Sequence, residues 1–161
     1  MGSARRNLLG TTTVVAGAAV AGRLASADVR SAWYETLDKP PFQPPAKVFP
    51  IAWTTLYADI AVVSGLVLAA LDRRGGSREA RSFRAALAAN LAVNAAWSWV
   101  FFRGHRLLPS AAVAGLLALS SADLARRSGQ ASPYAAAALA PYPAWCGFAT
   151  VLASAIWLRN R

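Results

Sequence analysis

The chain has 161 residues, of which 56% are hydrophobic and only 15% charged, with a net charge of +10 and a mean hydropathy of +0.35. Soluble domains carry about 25% charged residues, so this composition excludes an ordinary water-soluble globule and points to an all-α membrane bundle. A single cysteine, Cys146, excludes an internal disulfide; inside an apolar run it reads as a buried, inert thiol.

The first apolar run, Asn7 to Gly22, gives a span over about 7–27. Two readings fit it. Arg5-Arg6, the apolar run and Ala25-Ser26-Ala27 match the outline of a cleaved signal peptide, the paired arginines resembling a twin-arginine export signal. The small residues Gly10, Gly17, Gly22, Ala16, Ala18, Ala19 and Ala21 equally suit an uncleaved span packed closely against other helices.

Residues 28–47 form the first connection, with Trp33 and Tyr34 near its start and Pro40, Pro41, Pro44 and Pro45 following. Four prolines in six positions stop a helix and favour an extended path. The aromatic pair suits the headgroup zone. The segment is either an interfacial connector or a lid folded over a space between helices.

A spanning helix needs roughly 20 apolar residues. The pattern places further spans at 48–71, 83–102, 106–125 and 133–158, giving five in all, with four as the second choice. Polar gaps separate them at Asp72–Ser82, Arg103–Arg106 and Ser128–Ser132. The short gaps make neighbouring spans antiparallel. Cations gather in these gaps, including Arg73, Arg74, Arg78, Arg81, Arg84, Arg126 and Arg127, as membrane-flanking residues do. Such scattered clusters argue against a nucleic-acid surface. The two sides carry nine and eight cations, which leaves the orientation open.

Polar and aromatic residues inside the spans are the candidate site. Trp53 and Tyr57 lie one turn apart in the second span. Asn90, Asn94, Trp97 and Phe101 follow helical spacing in the third, and Tyr142, Trp145 and Ala149 do so in the fifth. Buried amides are costly in lipid, so the asparagines should face the bundle interior. Two roles remain open: interhelical hydrogen-bonding within ordinary packing, or the lining of a pocket for a flat, apolar ligand. Asp59 is the only acid in the interior of a span and is expected to pair with an arginine of another helix, with a proton-linked role as the alternative. Glu35, Asp38 and Lys39 read as a solvated cluster, and Pro141 and Pro143 should both kink the last span. The lone His105 lies in a loop between arginines and offers no metal site, and no nucleophile or phosphate-loop motif is present.

Trp33-Tyr34-x-x-Leu37-x-Lys39-Pro40-x-x-x-Pro44-Pro45, followed by Val48-Phe49-Pro50-x-Ala52-Trp53-x-x-Leu56-Tyr57, strongly resembles the TspO/MBR family of tryptophan-rich sensory proteins. Asn94-x-x-Trp97, Phe101-Phe102, Pro141-Tyr142-x-x-Trp145 and Ala149-Thr150 extend the match, which runs from about Gly17 to Asn160. The resemblance implies a five-helix protein of the bacterial cell membrane, an uncleaved first span and a homodimer. It also implies binding of tetrapyrroles such as protoporphyrin IX and haem, with no required cofactor, no metal site and no nucleic-acid partner. By the same resemblance Trp53, Asn94, Trp97, Trp145 and Ala149 line the pocket beneath the Trp33–Pro45 loop. Trp33, Tyr34, Pro44, Phe49, Tyr57, Asn90 and Tyr142 complete the expected ligand-binding set. The implied role is that of a regulator or carrier, with light- and oxygen-dependent porphyrin degradation or tetrapyrrole transport as alternatives. Three departures bear on this. Pro41 and Phe42 follow the Lys-Pro pair where many relatives carry other aromatics, Pro143 is an added proline, and Ser154 stands where a sterol-recognition pattern needs tyrosine.

Overall fold

The computed structural model describes residues 2–25 and 32–161, without the side chains of Ser3 and Ala32. The helices are α1 (Gly2–Ala25), α2 (Ala32–Thr36), α3 (Val48–Arg73), α4 (Ser77–Ser98), α5 (Leu107–Ser128), α6 (Pro133–Leu139) and α7 (Pro141–Arg159). A π-helical turn, Trp99–Arg103, prolongs α4. There is no strand among the described residues. Five stretches are long and apolar enough to cross a membrane: Ala4–Ala25, Val48–Arg73, Ser77–Arg103, Leu107–Ser128 and Pro133–Arg159. The chain is a multi-pass, all-α integral membrane protein.

The helices overrun several boundaries drawn from hydropathy. α4 starts at Ser77 rather than at 83, because arginine is a good helix former even where it ends an apolar run. Glu79 in its first turn complements the helix dipole. The reversal before it uses Gly75, at φ 71°, a left-handed conformation open to glycine. α5 likewise continues to Ser128, supported by Asp123 paired with Arg126 and Arg127 at i+3 and i+4. The last span is broken rather than bent. Pro141 supplies no N–H, and the helix divides at Ala140. Pro143 falls in the first turn of α7, where its missing donor is one the helix could not use, so α7 runs without interruption through it. Ser26 and Ala27 of the signal-like motif, and residues 28–31 of the first connection, lie outside the described residues.

α1 packs against α3 and α4, α4 against α5, and α5 against α7. The α1–α3 contact is close because Gly65 has no side chain. A Cβ there would sit 2.7 Å from Leu8 Cδ2 and 3.0 Å from Leu8 Cα. Thr11 Oγ1 donates across the same contact to the Ala61 carbonyl at 2.8 Å, and Val15 is buried beside it. Small residues play the same part between α5 and α7, where Gly115 faces Thr150.

One hydrogen-bond chain ties the remaining helices together. Tyr57 Oη of α3 donates to Asn94 Oδ1 of α4 at 2.7 Å. Asn94 Nδ2 donates to Tyr142 Oη of α7 at 3.1 Å, and Tyr142 donates to Asn90 Oδ1 at 2.9 Å. Asn90 Nδ2 then reaches Ser120 Oγ of α5 at 3.2 Å. Asn90, Asn94 and Tyr142 are buried, so their side chains cannot turn to water, while Tyr57 and Ser120 at the two ends are half-buried.

Two stability predictions follow from this packing. Gly65→Val should lower the thermal midpoint in detergent by the equivalent of roughly 1–3 kcal/mol through overpacking. Gly17→Ala, where a Cβ meets nothing within 4 Å, should not lower it. Tyr142→Phe leaves Asn90 Oδ1 and Asn94 Nδ2 without these partners and should cost about 1–3 kcal/mol, whereas Tyr134→Phe on the exposed surface should cost nothing measurable.

Candidate functional site

α3 and α7 face each other through aromatic rings. Trp53 meets Tyr57 at 5.5 Å and, edge-on, Tyr142 at 6.4 Å between ring centroids. One turn earlier on α3, Phe49 meets Trp145 at 6.0 Å, and Trp145 in turn meets Phe148 at 5.4 Å. α4 contributes Trp97, stacked on Phe101 at 5.4 Å with the planes 10° apart. Phe49, Trp97 and Phe148 pack around buried Phe101, Leu152 and Ile156, while Tyr142, with Trp53, Tyr57 and Trp145 against it, belongs to the adjoining core.

The π turn shapes this wall. Gly104 N–H bonds back to the Trp99 carbonyl at 2.8 Å, one residue further than an α-helix reaches. Gly104 is required there, since a Cβ would approach the Val100 carbonyl to 2.8 Å. The consecutive residues Phe101 and Phe102 both meet Tyr34, each at 6.1 Å.

Above the rings lies the first connection. α2 sets Trp33 and Tyr34 against Phe101, at 5.7 Å and 6.1 Å, and Leu37 packs with them. The proline-rich stretch is folded into turns closed by Gln43 N–H to the Pro40 carbonyl and Val48 N–H to the Pro45 carbonyl, at 3.0 Å and 2.9 Å. Gln43 Nε2 donates to Tyr34 Oη at 3.4 Å. Burial pushes the Tyr34 phenol above its ordinary pKa, and the Gln43 contact offsets this in part. Both flanks of the segment are fastened. Trp33 stacks on His105 at 4.1 Å. On the other flank Asn160 accepts from Asp38 N–H and donates to the Asp38 carbonyl, both at 2.9 Å, while Arg159 pairs with the Asp38 carboxylate at 3.2 Å. Lys39 lies 4.7 Å over the Tyr34 ring. Of the group Glu35, Asp38 and Lys39, Asp38 is tied across the fold to Arg159 and Asn160, whereas Lys39 keeps local contacts with the Tyr34 ring and the Glu35 and Leu37 carbonyls.

Of the expected residues, Trp53, Tyr57, Asn90, Asn94 and Tyr142 meet around the hydrogen-bond chain, and Phe49 and Trp145 adjoin them. Trp97, Trp33 and Tyr34 form the upper part. Pro44 is half-buried in the covering segment, and Ala149 is half-buried one turn beyond Trp145. Spacing from Trp145 marks Phe148 as a neighbour, whereas no local signal marks Gln43 or Asn160, whose partners come from tertiary folding. Asp59 departs from expectation: its Oδ2 is buried without a hydrogen-bond partner, and it makes no ion pair among the described residues.

The hydrogen-bonding account of the compartment is incomplete in one respect. Asn90, Asn94, Tyr57 and Tyr142 satisfy one another, but the indole Nε1 atoms of Trp97 and Trp145 and Gln43 Oε1 are buried with no partner among the described residues. Unmet buried polar atoms are rare and call for an occupant or a cause. The compartment thus combines aromatic faces with two free N–H donors and one free acceptor. Among the described residues no group of three or more His, Cys, Asp or Glu side chains stands close enough to hold a metal ion.

Residues 10–158 match the family model described as TspO/MBR family. A translocator protein of Ovis aries is 38% identical over 130 residues, covering 80% of this chain and 75% of its own. A tryptophan-rich sensory protein of Cereibacter sphaeroides is 36% identical over 120 residues, 74% of this chain and 72% of its own. Protein CrtK of Rhodobacter capsulatus is 32% identical over 146 residues, 88% of this chain and 87% of its own. With the broken fifth span, the aromatic compartment and a match across nearly the whole length, the chain belongs to the TspO/MBR family.

Proposed function

We propose that the chain binds tetrapyrroles, protoporphyrin IX and haem among them, in the aromatic compartment beneath α2, and acts as a membrane regulator or carrier of such ligands. The carrying observation is the pair of buried, unpartnered indole donors, Trp97 and Trp145. A tetrapyrrole offers a flat apolar face for the rings and peripheral carboxylates that accept from N–H groups. Family membership and the relatives' names, translocator and sensory proteins, agree with this role. Because the rings touch one another, admission of a ligand of that size requires Trp33 and Tyr34 to separate from Phe101 and Phe102. The fastened covering segment is then a lid that sets the rate of binding.

A homodimer is part of the same reading. The outward face of α4 presents Ala85, Ala89, Ala92 and Ala96, all exposed, and small residues of this kind let helices approach closely in lipid. Mass measurement in detergent should give twice the chain mass, and Ala92→Trp should give the monomer.

Protoporphyrin IX titrated in the dark should quench tryptophan fluorescence saturably. Trp97→Phe and Trp145→Phe keep an aromatic ring but delete the donors, and each should weaken binding about ten-fold or more, the worth of a charge-assisted hydrogen bond. Absence of saturable quenching would sink the reading. Asn160→Ala should accelerate association in stopped-flow mixing by roughly five-fold, because two hydrogen bonds holding the lid are lost. Arg159→Gln should change the rate little, since the pair with Asp38 is exposed and screened.

A further inference from the structure

At the opposite end of the bundle from the lid, a groove of about 260 Å³ runs between α1 and α4 over Leu68 of α3. Its upper rim carries Arg6, Asn7 and Arg84, and the rest is Gly10, Thr11, Val14, Leu87 and Ala88. We propose that this groove is a binding site for one anionic phospholipid, with the phosphate between Arg6 and Arg84 and an acyl chain along Gly10, Val14 and Ala88.

The polar rim is built and incompletely used. Asn7 Nδ2 donates to Asp72 Oδ2 at 2.8 Å. Arg84 Nη2 is held by Asp72 at 3.1 Å and by Asn7 Oδ1 at 3.4 Å. These contacts fix the guanidinium, while its Nη1 and Nε make no hydrogen bond among the described residues. Arg6 is exposed and has no hydrogen bond or ion pair among them. Two arginines against one aspartate leave a single positive charge, which one phosphodiester neutralises.

The depth is right for a headgroup. Arg84 immediately precedes the uncharged run Ala85–Phe102, and Asp72 immediately follows the apolar part of α3, so both mark the boundary between water and hydrocarbon. Below them Val14 is 51% exposed and the groove loses its polar atoms except Thr11. Thr11 is turned inward to the Ala61 and Asn7 carbonyls, leaving an apolar trough. Gly10 and Ala88 keep that trough open. Arg5 and Arg81, near the rim residues in sequence and both exposed, add positive charge to this end of the bundle and favour a headgroup of net negative charge over a zwitterionic one.

Native mass spectrometry of the detergent-solubilised full chain, titrated with phosphatidylglycerol or phosphatidylcholine, tests this. The expected result is one tightly held phosphatidylglycerol per chain and weaker retention of phosphatidylcholine. Arg6→Gln should weaken phosphatidylglycerol binding about five-fold, the worth of one basic residue at a lipid surface. Gly10→Leu fills the trough and should abolish the preference. Its new Cβ meets nothing within 4 Å, and an unchanged thermal midpoint without added lipid would verify the fold. Equal retention of the two lipids, phosphatidylglycerol binding unweakened by Arg6→Gln, or a preference that survives Gly10→Leu would overturn the proposal. So would inorganic phosphate raising the thermal midpoint as far as phosphatidylglycerol, which would mark a site for the free anion.

Discussion

The chain of hydrogen bonds from Tyr57 through Asn94, Tyr142 and Asn90 to Ser120 governs how the bundle closes. Within a bilayer there is no water to accept a stray amide, and an unmet polar group costs several kcal/mol. Two asparagines one turn apart on α4 therefore force α3, α5 and α7 to present hydroxyl partners at matching heights. Because α3 and α7 meet the chain through long tyrosine side chains, their backbones stay apart, and the intervening space is filled by rings. The aromatic compartment is a consequence of how the polar core is satisfied.

Against that background the two free indole N–H groups stand out. The bundle pairs Asn90, Asn94, Tyr57 and Tyr142 but leaves Trp97 and Trp145 without acceptors among the described residues. A purely structural core has no use for such donors, and an aromatic side chain without one, such as phenylalanine, leaves nothing to satisfy. The broken last span serves the arrangement as well. By interrupting the helix at Ala140, Pro141 starts a new N-terminus from which Tyr142 points into the hydrogen-bond chain and Trp145 into the rings one turn later.

Much of this was legible in the residue order. The uncharged runs located the five spans, and the spacing of Asn90, Asn94, Trp97 and Phe101 put them on one face, because both signals are local and periodic. Helix ends were less legible: hydropathy stops at Arg84, while the helical backbone begins at Ser77 and arginine does not oppose it. The roles of the asparagines were open in the sequence, since periodicity places a side chain on a face without naming its partner. Among the described residues Asp59 lacks the arginine that its charge suggested, and Asp38 is held by Asn160 and Arg159 at the far end of the chain. Such long-range pairings leave no trace in local pattern.

The central claim is that Trp97 and Trp145 are held open as donors for a tetrapyrrole. Indole N–H resonances of the ¹⁵N-labelled protein in detergent micelles, recorded in the dark with and without protoporphyrin IX, address it directly. The account predicts that the Trp97 and Trp145 N–H signals, assigned by single Phe substitutions, move downfield on addition as they acquire acceptors, while that of the exposed Trp99 stays in place. Unmoved Trp97 and Trp145 signals at saturating ligand would contradict it.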